Sequence, residues 1–197
     1  MGNRSVLVVL LWLLICKTTF ANPGVVVVDA GHGGQDRGGA PYQRLPEKGY
    51  TLDTARRLAR TLRRQGVRVV MTRDDDSFVS LSERTNISSR YSPGDAVFVS
   101  IHYNSGRREG AYGIETYYNS RRAYRLAALV HPRVIEAMNS ADRGIRWRGY
   151  WVLRRNRLPA ILVECGFLTN HAEAARIQDP DYRERTARAI AGAIMRY

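Results

Sequence analysis

Four residues have the types and the settings to do chemistry together: His32, Glu47, His102 and Glu164. His32 sits in Asp29-Ala30-Gly31-His32-Gly33-Gly34-Gln35-Asp36, where glycines on both sides let the backbone turn sharply and leave the imidazole accessible. A phosphate-cradling loop is the competing reading of that stretch. It fails in detail, because no Walker lysine follows the glycines and the GxGxxG spacing is absent. His102 follows the apolar run Val97-Phe98-Val99-Ser100-Ile101, so it projects from a strand end. Glu164 closes another apolar run, where an unpartnered carboxylate would be costly. Glu47 stands near the start of a helix, where a carboxylate is also simply favourable to the helix dipole.

Taken singly, His102 and Glu47 read as structural residues. Taken together, two imidazoles and a carboxylate form a standard set around a catalytic Zn²⁺ whose fourth position holds water. A second carboxylate that is not a ligand would then take a proton from that water and return it to a departing amine. Glu164 suits that second role. His131, which precedes Pro132 inside a helix, and His171, at a helix start, are expected to be structural or solvent-facing. Cys165 neighbours Glu164 on a strand, so its side chain should point to the opposite face as a buried thiol.

The elements that must position these groups alternate between strand-like and helix-like patterns, which predicts a single α/β domain. Val25 to Val28 reads as a central strand covered on both faces and ending in Asp29. The apolar positions Leu52, Ala55, Leu58, Ala59 and Leu62 define one face of a helix from Glu47 to Gln65, capped by Gly66. A second strand is expected over Val67 to Thr72. Ser80 and Glu83 have capping-box spacing, and Pro93-Gly94 turns the chain into a strand from Ala96 to Ile101. Gly113 to Tyr118 reads as a strand and Tyr124 to Met138 as a helix bent at Pro132. Ile161 to Val163 is one more buried strand. Asp179 and Pro180 start the last helix, which buries Ala187, Ile190, Ala191 and Ile194.

Residues 1–21 read as a secretory signal peptide: Arg4 gives a positive start, Val6 to Cys16 an apolar run, and Thr19-Phe20-Ala21 a cleavage pattern before Asn22. A lipoprotein site at Cys16 and a retained N-terminal anchor are the alternatives. Removal of the leader leaves Cys165 as the only cysteine, so no intramolecular disulfide is possible. Residues 22–197 are expected to be one catalytic domain, exported to the periplasm or the extracellular wall and not inserted in the membrane. The whole chain carries 31 basic and 18 acidic residues, a formal charge of +13, of which Arg4 and Lys17 belong to the leader. A wall rich in peptide carboxylates would draw such a surface. Lys48 is the only lysine among the remaining basic residues, and so strong an arginine bias reads equally well as genome composition. Export and the lack of a nucleic-acid motif argue against a nucleic-acid partner.

Four blocks in order resemble the zinc-dependent N-acetylmuramoyl-L-alanine amidases of the type-three amidase family. They are Val28-Asp29-Ala30-Gly31-His32-Gly33-Gly34, the pair Glu47-Lys48, Ser100-Ile101-His102-Tyr103-Asn104, and Leu162-Val163-Glu164-Cys165-Gly166-Phe167-Leu168-Thr169-Asn170. The resemblance implies one Zn²⁺ held by His32, Glu47 and His102, with Glu164 as the catalytic carboxylate. It implies a twisted, mixed but mostly parallel sheet flanked by helices, of the phosphorylase/hydrolase type. The substrate it implies is peptidoglycan, cut between the lactyl group of N-acetylmuramic acid and the L-alanine of the stem peptide. Tyr150-Trp151-Val152-Leu153-Arg154 looks like a further family block, making Arg154 a candidate contact for a substrate carboxylate, and Asn104 is a candidate substrate-binding residue. Some family members carry a long inserted helix that plugs the site between the Gly113 strand and the Val152 region. Here that interval is expected to hold only the Tyr124–Met138 helix and short loops, so no activator should be needed to unplug it. A zinc peptidase acting elsewhere on the same peptides, and a non-catalytic wall-binding module, are the alternatives.

Overall fold

The computed structural model describes residues 23–39, 45–107 and 110–197, so the signal-peptide reading falls outside the described residues. The first strand, β1 (Val25–Ala30), is buried along its whole length, as a β-branched run with no polar alternation requires. Its valines divide between two cores. Val26 and Val28 pack on one side with Leu58, Leu62, Leu126 and Ile190, while Val25 and Val27 pack on the other with Phe98, Val152 and Leu162. Each such aliphatic side chain, fully buried, contributes about 1.5–3 kcal/mol.

The remaining elements are α1 (Glu47–Arg64), β2 (Arg68–Met71), α2 (Leu81–Ser88), β3 (Ala96–Asn104), β4 (Ile114–Tyr118), α3 (Arg121–Met138), β5 (Asp142–Trp147), α4 (Trp151–Arg154), β6 (Ala160–Phe167), α5 (His171–Gln178) and α6 (Pro180–Ile194). They form one six-stranded sheet in the order β2-β1-β3-β6-β4-β5. The pairs β1–β2, β1–β3, β3–β6 and β4–β5 are parallel, and β4 runs antiparallel to β6. The expected mixed, mostly parallel sheet flanked by helices is therefore present. Helices α1, α3 and α6 cover one face, and α2 and α4 stand over the other. No helix among the described residues is long and apolar enough to cross a membrane.

Several details differ from the sequence reading. β1 is interior but one place from the edge, and the centre of the sheet is the β3–β6 pair. β3 and β6 run past the ends of their apolar cores, because their pairing continues through His102 and Glu164 with a register shift before Asn104. α3 begins at Arg121, where Ser120 accepts a hydrogen bond from the Ala123 amide, and it continues through Pro132. The interval after β4 holds an extra strand, β5, besides α3. Asp-Arg-Gly-Ile-Arg-Trp has no apolar alternation, and a charged, half-exposed strand is what a sheet edge tolerates.

Candidate metal centre

His32 leaves β1 in the left-handed region, at φ +61, a conformation that costs energy for a residue with a side chain. Two buried arginines hold it there. Arg84 donates to Asp29 Oδ1 at 2.6 Å, to the Ala30 carbonyl at 2.5 Å and to the His32 carbonyl at 2.7 Å. Arg73 donates to the carbonyls of Ala30 at 3.0 Å and Gly31 at 2.7 Å. Asp29 is buried and also accepts from Thr72 and Ser100, both at 2.6 Å. Burial raises the Asp29 carboxyl's pKa, but Arg84 and the two hydroxyls outweigh it and hold the group below its ordinary range.

Glu47 opens the first turn of α1 and is aimed back into the sheet. Its Oε2 lies 3.1 Å from His32 Nε2 and its Oε1 lies 2.9 Å from His102 Nδ1. The Tyr103 amide donates to the same Oε1 at 2.9 Å, which fixes the carboxylate against β3. One ligand atom from each of His32, Glu47 and His102 falls within 4.8 Å of the others. Burial pushes the Glu47 carboxyl up, while the two imidazoles hold it down at about 2. His32 is itself raised: burial opposes its charged form, and Glu47 and Asp36 more than compensate, with Asp36 Oδ2 accepting from Nδ1 at 2.8 Å. Two glycines are obligatory to this packing. A Cβ at Gly31 would stand 2.4 Å from the His102 ring, and one at Gly38 would stand 2.5 Å from His32 and 2.7 Å from Glu47 Oε2.

Glu164 lies beside His102 in the β3–β6 register and beside Glu115 in the β4–β6 register. Its Oε2 is buried and has no hydrogen-bond partner among the described residues. Burial, with repulsion from Glu47 and Glu115, pushes its carboxyl well above the ordinary range. The four expected residues thus line one cavity of about 390 Å³, with Phe78 and Leu81 on one side and Tyr150 and Trp151 on another. Asn104 lines it too and donates to Glu115 Oε2 at 2.8 Å. Arg154 does not line it; its guanidinium lies 5.7 Å from the centroid of the Trp151 ring.

The set fits a zinc-type ion. It offers two borderline nitrogen ligands and one hard oxygen ligand, converging without a fourth protein ligand among the described residues. A carboxylate on one imidazole's far nitrogen, as Asp36 provides for His32, is the usual way such a ring is oriented. The other two histidines play no part here. His131 is buried between Thr116 and Asp142, and His171 is exposed at the start of α5. Cys165 is buried in the helix-side core, away from the cavity.

Sequence reasoning missed Asp36, Glu115 and the Asp29–Arg84–Arg73 network. Asp29 carried the same signal as Glu164, a carboxylate closing an apolar strand. Arg84 carried none, since it lies on a short helix that buries only Arg84, Thr85 and Ser88.

A single α/β domain with a three-residue cluster able to hold a metal at its strand ends is the class that fold and site define. The chain belongs to the N-acetylmuramoyl-L-alanine amidase family, whose sequence pattern matches residues 26–196. It is 33% identical over 176 residues to the N-acetylmuramoyl-L-alanine amidase LytC of Bacillus subtilis (strain 168), covering 87% of this chain and 35% of LytC. Among solved structures, the catalytic domain of the amidase CwlV from Bacillus (Paenibacillus) polymyxa var. colistinus superposes with a TM-score of 0.80 at 37% identity, covering 86% of this chain and 95% of that one. The amidase AmiC2 of Nostoc punctiforme gives 0.82 at 38% identity, covering 88% and 96%.

Proposed function

We propose that this chain is an exported peptidoglycan amidase that cleaves between the lactyl group of N-acetylmuramic acid and the L-alanine of the stem peptide. The observation that carries the reading is the convergence of His32, Glu47 and His102 beside a Glu164 whose buried Oε2 has no hydrogen-bond partner among the described residues, in a chain of this family. Those three residues would hold Zn²⁺, which when bound supplies Lewis acidity toward the scissile carbonyl and toward water.

The chain's own groups do the rest. Glu164 Oε2 takes the proton of the attacking water and delivers it to the departing alanine nitrogen, so that the peptide leaves as a neutral amine. A carboxyl whose pKa is raised by burial is suited to that traffic in both directions. Asp36 fixes the His32 imidazole through Nδ1, and the Tyr103 amide fixes the Glu47 carboxylate. Phe78, Leu81, Tyr150 and Trp151 line the cavity with apolar surface against which a substrate can pack.

Between β4 and α4 the chain spends its residues on α3 and β5. The side chains of His32 and His102 stay 21% and 17% exposed, so the cluster is reachable from the cavity. This supports activity without an activator to unplug the site. Digestion of purified peptidoglycan, read by mass spectrometry, tests the bond assignment. Stem peptides beginning with a free L-alanine amine are expected, whereas a peptidase would leave that alanine on the sugar.

A further inference from the structure

The order of the strands determines which side of Glu164 a departing peptide must occupy. His32 follows β1, and His102 lies on β3, Glu164 on β6, Glu115 on β4 and Arg143 on β5, which is also their order across the sheet. His102, Glu164 and Glu115 stand side by side in register. This inference rests on the amidase reading: if Glu164 hands its proton to the alanine nitrogen, the sugar half lies toward His32, Glu47 and His102 and the peptide runs out over β4 and β5.

A second cavity, of about 370 Å³, opens there, and it shares Asn104 and Ser105 with the first. Its walls include Glu115, Arg143, Arg107 and Phe167. Arg143 is held in place on three sides. Its Nε donates to Glu115 Oε1 at 2.8 Å, its Nη1 reaches the Tyr112 carbonyl at 3.5 Å, and its guanidinium carbon sits 4.8 Å from the centroid of the Phe167 ring. The buried Glu115 is committed elsewhere as well, because its Oε2 accepts from Asn104 and from the Tyr117 hydroxyl. Glu115 therefore orients the guanidinium and leaves Arg143 with N–H groups that have no partner among the described residues. The exposed Arg107 adds a second cation, so among the described residues the lining holds two guanidinium groups against one carboxylate.

A planar guanidinium, fixed and only partly satisfied, is matched by a carboxylate. We propose that this cavity is the subsite for a free carboxylate of the stem peptide just beyond the scissile amide, received by Arg143 with Arg107 assisting. The wall peptide is rich in such groups, and a positioned carboxylate would anchor the leaving half during cleavage. Arg154, the candidate for that contact on sequence grounds, lines neither cavity.

The test uses two synthetic muramoyl peptides that differ only at the second peptide residue, with its carboxylate either free or converted to a carboxamide. The zinc-loaded enzyme is expected to release alanine-initiated peptide from both, with kcat/KM higher on the free acid by about tenfold or more, the scale of one charge-assisted contact. R143Q should collapse that ratio toward one, and R107Q, at an exposed position, should lower it in the same direction. The free product peptide should bind R143Q more weakly by a similar factor in calorimetry. A wild-type ratio near one overturns the subsite while leaving the amidase reading intact, as does an unchanged ratio in R107Q and in a folded R143Q. Failure of the wild type to cut either substrate at the lactyl–alanine bond overturns the amidase reading instead.

Discussion

Arg84 donates from Nη2 to the carbonyl oxygen of His32 at 2.7 Å, across 52 positions of chain. The same guanidinium ties the Asp29 carboxylate and the Ala30 carbonyl, so one buried side chain holds two backbone carbonyls and a carboxylate along the turn that aims the imidazole. Lysine at this position would keep a positive charge opposite Asp29 but could not span all three acceptors. R84K is expected to weaken zinc binding by about 10- to 100-fold, the usual effect of losing support behind a ligand. Competition with a chromophoric chelator measures it, and an unchanged affinity in a folded variant would remove Arg84 from the account.

The Asp29–Arg84 pair also sets an acid limit on stability. Asp29 titrates below its ordinary range in the folded chain, so its stabilisation is complete above the unfolded value of about 3.9 and is lost as pH falls through the folded value. D29N leaves Arg84 buried without its charge partner, a loss of about 3–5 kcal/mol at neutral pH. Urea unfolding at pH 7 and again below pH 4 should show the gap between wild type and D29N narrowing in acid. A gap that stays constant across that range would mean that Asp29 is not the titrating group.

Gly31 is required by its neighbour and not by its own backbone, since a Cβ there would stand 2.4 Å from the His102 ring. G31A should remain folded while displacing His102. The expected result is a zinc affinity lowered by tenfold or more, on the order of a lost orienting contact, with a metal-free melting temperature close to that of wild type. Equal zinc affinities in the two proteins would show that the ring has room to move.

Metal should also raise stability, because it binds the folded cluster in preference to the unfolded chain. At a free zinc concentration about 100 times the dissociation constant, the gain is roughly 2.7 kcal/mol. Chelation should therefore lower the melting temperature of wild type, and zinc should restore it. H102A should respond to neither treatment, and a full response from that variant would place the metal elsewhere.

Much of this arrangement could be read before the fold was known, for specific physical reasons. Four consecutive valines demand burial on both faces, and a histidine or carboxylate closing such a run must have a partner. Glu164 stood out as a carboxylate closing an apolar run, His32 by its flanking glycines, and His102 only when set beside them, while the apolar spacing from Leu52 to Leu62 and the cap at Gly66 placed the helix from Glu47 within a residue of its observed end. β5 escaped notice because an edge strand has one neighbour and needs no apolar pattern. Glu115, Asp36 and Arg143 escaped for a different reason. They act through partners 11 to 28 positions away or across a tight turn, and a charged side chain in a loop, at an edge or on a short strand with no clear apolar run looks the same whether or not it supports a site.

The most direct test of the central claim is the hydrolysis of purified peptidoglycan by E164Q, with its zinc content measured in parallel. Glu164 is placed as the proton carrier and not as a ligand, so the variant should bind zinc at the wild-type stoichiometry yet lose activity by about 10²- to 10⁴-fold. Retention of full activity by zinc-loaded E164Q would contradict the account, and loss of zinc together with activity would make Glu164 a ligand instead.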